Sequence, residues 1–190
     1  MFEEVRLLGN EQKGIILQTH CGREIKNEIA MHPPPDHAVV KFERMVNQHP
    51  QWVVRKEPTG IYNCVGHVWA SRRTAIYDDL DEVVLRIRDD DRHREIDLDR
   101  EAPHAGDLAA YWQSLNPYKV FIHIGVIVEV KPRSRGLPPV IMILSKWDDS
   151  SGEVVHDIND MPKSWRSAFT NVRFVLWTDR PCLKPAKIIR

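Results

Sequence analysis

The chain of 190 residues has 27 Lys and Arg against 27 Asp and Glu, and hydrophobic residues make up 42% of it. This length fits one domain with at most a small appendage, and the apolar share excludes an intrinsically disordered chain. The balanced charge lacks the positive field that drives non-specific binding to nucleic acids or anionic membranes, so we expect neither as a partner.

The first residues and the cysteines bear on the compartment. Glu3 and Glu4 stand where a secretory signal carries basic residues, and no apolar run approaches the roughly 18 residues of a membrane span. We therefore expect a cytoplasmic protein, with export by a dedicated secretion system as the alternative. Cys21, Cys64 and Cys182 lie far apart without CxxC spacing, which predicts neither a disulfide framework nor a Cys-rich zinc site.

Residues 1–58 predict an irregular N-terminal extension or cap. The apolar residues of 37–49 have a loosely helical spacing, and Pro50 ends the helix because it disfavours helical geometry in the preceding residue. Residues 51–55 then predict a short strand. Nothing in this extension indicates a particular chemistry.

A second helix is predicted to begin at Cys64. A turn at 58–60 precedes it, Asn63 is a favourable N-cap residue, and the apolar residues that follow repeat at helical spacing. Unpaired backbone N–H groups and the helix dipole are expected to lower the pKa of a thiol in this first turn. Cys64 is therefore a candidate nucleophile, although most single cysteines are small buried apolar residues.

Residues 71–100 carry seven Lys or Arg and ten Asp or Glu, a composition that predicts a solvated, charged helical segment. Asp89–Asp91 lacks the alternating ligands and turn glycine of a calcium loop, so we interpret these acids as surface charge. The predicted organisation is an extension at 1–58, a domain at 59–180 with a charged insertion at about 71–102, and a basic tail at 181–190.

The second half of the chain predicts an antiparallel sheet, with strands at 120–130, 140–144, 153–156 and 172–177. His123 lies inside the first of these strands, between two isoleucines, where an imidazole is an unusual choice for packing alone. A histidine on a neighbouring strand commonly serves as the base of a thiol nucleophile. We predict this role for His123; the alternative is a core histidine bound to a carbonyl.

Three short motifs occur in the order found in a known family. Asn63-Cys-Val-Gly66, Gly106-Asp-Leu108 and His123-Ile-Gly-Val-Ile127 together resemble the NlpC/P60 cysteine peptidases, and more loosely the CHAP amidases of the papain-like superfamily. The family pattern is Asp-Cys-Ser-Gly on a helix, then Gly-Asp-Leu, then His-Val-Gly-Ile on a strand. Asn63 and Val65 depart from that pattern, and the charged segment separates the first two motifs.

The resemblance covers residues 61–147 and implies an α+β papain-like domain whose nucleophile helix packs on an antiparallel sheet. It implies Cys64 as the nucleophile, His123 as the general base, and the backbone N–H of Cys64 as part of an oxyanion hole. The implied function is a cysteine hydrolase that cleaves an amide or peptide bond through an acyl-enzyme, without a cofactor or a metal ion.

The third catalytic residue has two candidates. Antiparallel pairing across the hairpin places residues 145–147 near His123. Ser145 fits the orienting role, since a charged Lys146 cannot accept an imidazole N–H. His156, one strand further, is the other candidate.

Three alternatives to the hydrolase stay open. The same geometry can transfer the acyl group to another acceptor. A papain-like module without catalysis could bind a protein partner through the basic tail or the charged segment 71–100. Finally, zinc could be held by a group of side chains that comprises Cys64, His67, His123 and His156. An enzyme requires the Cys64 sulfur close to a ring nitrogen of His123 in an open cleft, whereas a binding module does not.

Overall fold

The structure is a computed structural model that describes residues 14–28, 33–77, 79–134 and 137–181. In these residues the helices are α1 (Asp36–Asn47), α2 (Cys64–Trp69), α3 (Leu80–Asp90) and α4 (Lys163–Ala168). The strands are β1 (Val53–Lys56), β2 (Arg94–Glu95), β3 (Leu108–Leu115), β4 (Tyr118–Lys131), β5 (Val140–Ser145), β6 (Glu153–Asp157) and β7 (Val172–Thr178).

The seven strands form one antiparallel sheet in the order β1-β6-β5-β4-β3-β7-β2. The predicted α+β class and the antiparallel sheet are confirmed, and α2 packs against β4 as expected for a helix on such a sheet. No helix in the described ranges is both long enough and apolar enough to cross a membrane.

Alternate residues of each strand point to opposite sides of the sheet, so both faces carry apolar side chains. Helices cover both of these faces. On the first face α2 and α3 pack over a core whose members include Val65, Val83, Val84, Ile87, Ala110, Ile124 and Trp177. On the second face, residues of α1 and α4 pack around a core whose members include Phe42, Trp52, Tyr111, Ile127, Ile143, Trp147 and Leu176. The sheet therefore separates two apolar cores.

The N-terminal extension contributes to both cores. Leu17 and Ile25 are buried in the first core, and Phe42 and Trp52 are buried in the second. β1 also lies in the same sheet as the later strands. The predicted limits of extension and domain stay a prediction; residues 1–13, Cys182 and the basic tail beyond residue 181 lie outside the described residues.

The segment 71–100 differs from its predicted solvated state. Val83, Val84 and Ile87 of α3 are buried in the first core, so the helix is amphipathic. Its charges are partly compensated by ion pairs, among them Arg23 with Asp90. The strand β3 is absent from the prediction because its sequence, with two alanines and no β-branched residue, carries a weak strand signal.

Gly66 lies where the first turn of α2 contacts the segment after the helix. A Cβ at this position would lie 1.8 Å from the Thr74 carbonyl oxygen. Although alanine favours a helix by about 1 kcal/mol over glycine, the clash would displace the backbone of Thr74, a residue that is completely buried. We expect Gly66→Ala to lower the free energy of unfolding by about 3 kcal/mol in a urea titration. Exposed Glu43→Ala in α1 is the control, and equal stability of the two variants would contradict this packing.

Candidate functional site

Cys64 occupies the first position of α2, as predicted, and Asn63 caps the helix. The Asn63 Oδ1 accepts hydrogen bonds from the backbone N–H groups of Gly66 at 2.9 Å and Ile76 at 3.2 Å. Its Nδ2 donates to the Ile76 carbonyl at 2.6 Å. One side chain thus fixes both the start of the helix and the strand-like segment beside it.

The NlpC/P60 pattern has Asp at the position of Asn63. The two residue types are not equivalent in this structure, because the Asn63 amide is a hydrogen-bond donor. A carboxylate cannot donate to the Ile76 carbonyl, and at 3% exposure the new charge would be buried. We expect Asn63→Asp to lower the free energy of unfolding by about 3 kcal/mol at pH 7. The loss should shrink near pH 4, where a protonated carboxyl can donate. Exposed Asn171→Asp is the matched control, and an equal effect in both variants would contradict the role of the donor.

The thiol of Cys64 has the opposite pKa shift from the predicted one. Burial raises the pKa to about 12, and the negative charge of Asp149 adds to the effect. Hydrogen bonds from the backbone N–H groups of Ile124 and Val65 oppose the shift without reversing it. α2 spans six residues, so its dipole is small beside the loss of hydration. The sulfur is therefore a neutral thiol at pH 7.

His123 lies on the other face of the sheet from Cys64. Its ring stacks on Trp147 with centroids 4.0 Å apart, and Tyr111 is its partner across the β3–β4 pair. Both of those aromatic residues belong to the second core, whereas Cys64 packs on the first core, which contains Ile124. Neither ring nitrogen of His123 has a hydrogen-bond partner, so this conformation does not form the thiol–imidazole pair.

A β-bulge explains why His123 points to the second face. In the β3–β4 pairing Tyr111 is opposite His123 but Trp112 is opposite Phe121, so Ile122 is an extra residue in β4. Phe121 packs in the first core and Ile122 in the second. Regular alternation from Phe121 would have placed His123 on the Cys64 face; the bulge shifts the alternation by one residue.

Ser145 and His156 share the second face with His123. Ser145 is opposite Val154 in the β5–β6 pair, its hydroxyl would lie 2.6 Å from a Cβ placed on Gly125, and Oγ has no hydrogen-bond partner. His156 pairs with Ile143 across the two strands. Its Nδ1 donates a hydrogen bond to the Asp157 carbonyl oxygen at 2.7 Å. The structure thus brings three predicted site residues to one face and leaves Cys64 on the other.

A buried polar cluster lies on the first face, and the sequence did not predict it. We define this polar cluster as Tyr62, His67, Arg72, Lys146 and Glu153. The Arg72 guanidinium donates to both Glu153 carboxylate oxygens, at 2.6 and 3.0 Å, and the Tyr62 hydroxyl donates to one of them at 2.5 Å. These donors hold the pKa of Glu153 below its usual range although burial opposes them.

His67 and Lys146 complete the polar cluster. His67 Nε2 accepts from the Arg72 guanidinium at 3.0 Å, and Nδ1 is buried without a hydrogen-bond partner. Burial lowers the pKa of His67 to about 4. The Lys146 Nζ donates to the carbonyls of Thr59 at 2.8 Å and Ser151 at 2.5 Å, and burial lowers its pKa to about 8. The only signal for this arrangement in the sequence is a lysine directly after an apolar strand.

The zinc alternative finds no matching arrangement. Within the described residues, no group of three or more His, Cys, Asp or Glu side chains is placed to hold a metal ion.

Comparisons with known proteins leave the family open. No family model, no curated protein and no solved structure matches the chain. The chain is thus an α+β protein with a seven-stranded antiparallel sheet in its described part, and its relation to the NlpC/P60 peptidases stays a prediction.

Proposed function

We propose that the chain is a non-catalytic interaction module that binds an extended segment of a partner protein. The observation that carries this proposal is the placement of Cys64 and His123 on opposite faces of the sheet. A neutral thiol is a poor nucleophile, and an imidazole without access to it cannot remove its proton. A binding module has no need for such a pair.

The edge strand β1 offers the surface for a partner. All four of its residues are exposed, and β6 pairs with one side while no described residue pairs with the other. Unpaired backbone N–H and C=O groups on an edge can accept an additional strand from a second protein. The charged segment 71–100 is less suitable, because acids such as Asp89 and Asp90 already pair with arginines.

Side chains beside β1 indicate what the added strand would contain. A groove of about 380 Å³ between α1 and β1 is lined by apolar side chains, including Val39, Phe42 and Val54, with Glu43 and Glu57 beside them. Arg55 of β1 is exposed and has no ion-pair partner among the described residues. These features favour an extended peptide with an apolar side chain for the groove and an acidic one for Arg55.

Selection of displayed random peptides on the intact protein tests this proposal. We expect enrichment of peptides with neighbouring apolar and acidic residues, and Val54→Asp should weaken their binding at least tenfold. Val128→Asp is the matched control, since both valines are 38% exposed and Val128 lies on β4. The proposal is wrong if no peptide is enriched, or if the selected peptides bind Val54→Asp as well as the wild type.

A cysteine hydrolase or acyltransferase is the second candidate, favoured by the surroundings of the sulfur. Backbone N–H groups of Ile124 and Val65 act to lower the pKa of the Cys64 thiol, and such groups also stabilise an oxyanion. His67, one turn along α2, would be the base in place of His123 through Nε2, the ring nitrogen that accepts from Arg72 and therefore carries no proton in the neutral imidazole. Turnover of an amide or peptide library, lost in Cys64→Ala and His67→Gln but retained in His123→Phe, would support this candidate over the binding module.

A further inference from the structure

A largely apolar groove lies on the second face of the sheet, away from β1 and the polar cluster. Its volume is about 680 Å³, within the range of small-molecule sites. The apolar lining includes Leu98, Pro138, Pro139, Ile141, Ile158 and Phe174. Ile141 comes from β5 and Phe174 from β7, so the floor of the groove is part of the sheet.

The charged residues at this groove leave one positive charge without compensation. Arg100 lies 3.2 Å from the Asp97 carboxylate, and Glu101 accepts two hydrogen bonds from Arg94. Arg133 has no hydrogen bond or ion pair with any other described residue, although it also lines the groove. An apolar site with a free guanidinium beside it is complementary to an apolar molecule that carries one anionic group.

The exposed apolar side chains that line this groove favour the binding of a ligand there. Leu98 is 56% exposed at the groove, although a leucine side chain stabilises a protein most when buried. A linear alkyl chain along the apolar floor would cover Leu98 and the two prolines. Its head group would reach the planar guanidinium of Arg133, which can donate two hydrogen bonds to a carboxylate.

We propose that this groove binds a long-chain alkyl carboxylate, with the alkyl chain against Leu98 and Phe174 and the carboxylate on Arg133. The inference does not depend on the proposed function, because the groove and β1 share no residues. It assigns the second face a ligand site that is separate from both the thiol and the edge strand.

Calorimetric titration of the full chain with dodecanoate at micromolar concentrations tests the proposal. We expect saturable binding of one dodecanoate per chain. Arg133→Glu should weaken it at least tenfold through charge reversal, and Leu98→Asp should weaken it at least tenfold through the apolar surface. Both side chains are exposed, so these variants should fold. Arg44→Glu on α1 is the matched charge-reversal control, since Arg44 is also exposed, and it should bind dodecanoate as the wild type does.

A second titration isolates the contribution of the head group. Dodecyltrimethylammonium has the same alkyl chain with a positive charge, and we expect it to bind at least tenfold more weakly than dodecanoate. Equal binding of the two amphiphiles, the absence of saturable dodecanoate binding, or retention of full affinity in both Arg133→Glu and Leu98→Asp would each overturn the proposal.

Discussion

Lowering the pH from 7 to 5 is expected to reduce the free energy of unfolding by about 6 kcal/mol, because three buried histidines are neutral in the folded protein. Burial lowers the pKa of His67 and His156 to about 4 and that of His123 well below its ordinary value. The unfolded chain binds protons at these sites below a pKa of about 6.5, whereas the folded chain does not. Their contribution to stability is therefore complete above pH 6.5 and is lost as the pH falls toward 4.

Urea titrations at several pH values between 7 and 5 measure this effect, and His123→Phe is the informative variant. Phenylalanine keeps the stack on Trp147 and removes the two unpartnered ring nitrogens, so we expect it to raise the stability at pH 7 by about 1 kcal/mol. It should also remove about one third of the loss between pH 7 and 5. An unchanged pH dependence in His123→Phe would show that His123 can be protonated in the folded state.

Arg72→Ala is expected to lower the free energy of unfolding by about 3 kcal/mol at pH 7. The substitution leaves the Glu153 carboxylate, whose side chain is 4% exposed, with the Tyr62 hydroxyl as its remaining close hydrogen-bond donor. An uncompensated buried charge costs more than the lost ion pair itself. Glu153→Gln in the Arg72→Ala background should recover part of the loss, because it removes that charge.

The pH dependence gives this prediction a second readout. The ion pair lowers the pKa of Glu153, so its contribution is present above the unfolded value of about 4.3 and is lost as the pH falls through the folded value. The deficit of Arg72→Ala should therefore be smaller at pH 4 than at pH 7. Lys131→Ala, which removes an exposed ion pair with Glu129, is the control and should cost below about 1 kcal/mol. A deficit in Arg72→Ala as small as in this control would contradict the polar cluster.

Local signals in the sequence were sufficient for the elements near Cys64. The turn at 58–60, the N-cap Asn63 and the apolar spacing after it predict a helix that the structure begins at Cys64. The strands β4 to β7 follow from apolar stretches rich in β-branched residues. The direction of the Cys64 pKa shift did not follow, since it depends on burial by segments far away in the chain.

The face on which His123 lies depends on one extra residue in β4. If the side chains of β4 alternate between the two faces starting from Ile124, His123 lies on the face away from the Cys64 thiol. If the alternation starts from Phe121, His123 lies on the same face as the thiol. Only the pairing with β3 decides between them, and β3 itself has a weak sequence signal. The sequence did not predict the polar cluster either, because Glu153 lies more than 80 residues along the chain from its partners Tyr62 and Arg72.

The pH profile of Cys64 alkylation tests whether the Cys64 thiol and the His123 imidazole lie apart on opposite faces of the sheet. Iodoacetamide labelling is followed peptide by peptide in the wild type and in His123→Phe, with the exposed thiol of Cys21 as the internal reference. The structure predicts that Cys64 reacts more slowly than Cys21, gains reactivity only above the ordinary thiol pKa of about 8.5, and has the same profile in His123→Phe. Fast labelling of Cys64 well below pH 8.5 that disappears in His123→Phe would contradict the separation of the two side chains and favour the Cys64–His123 hydrolase.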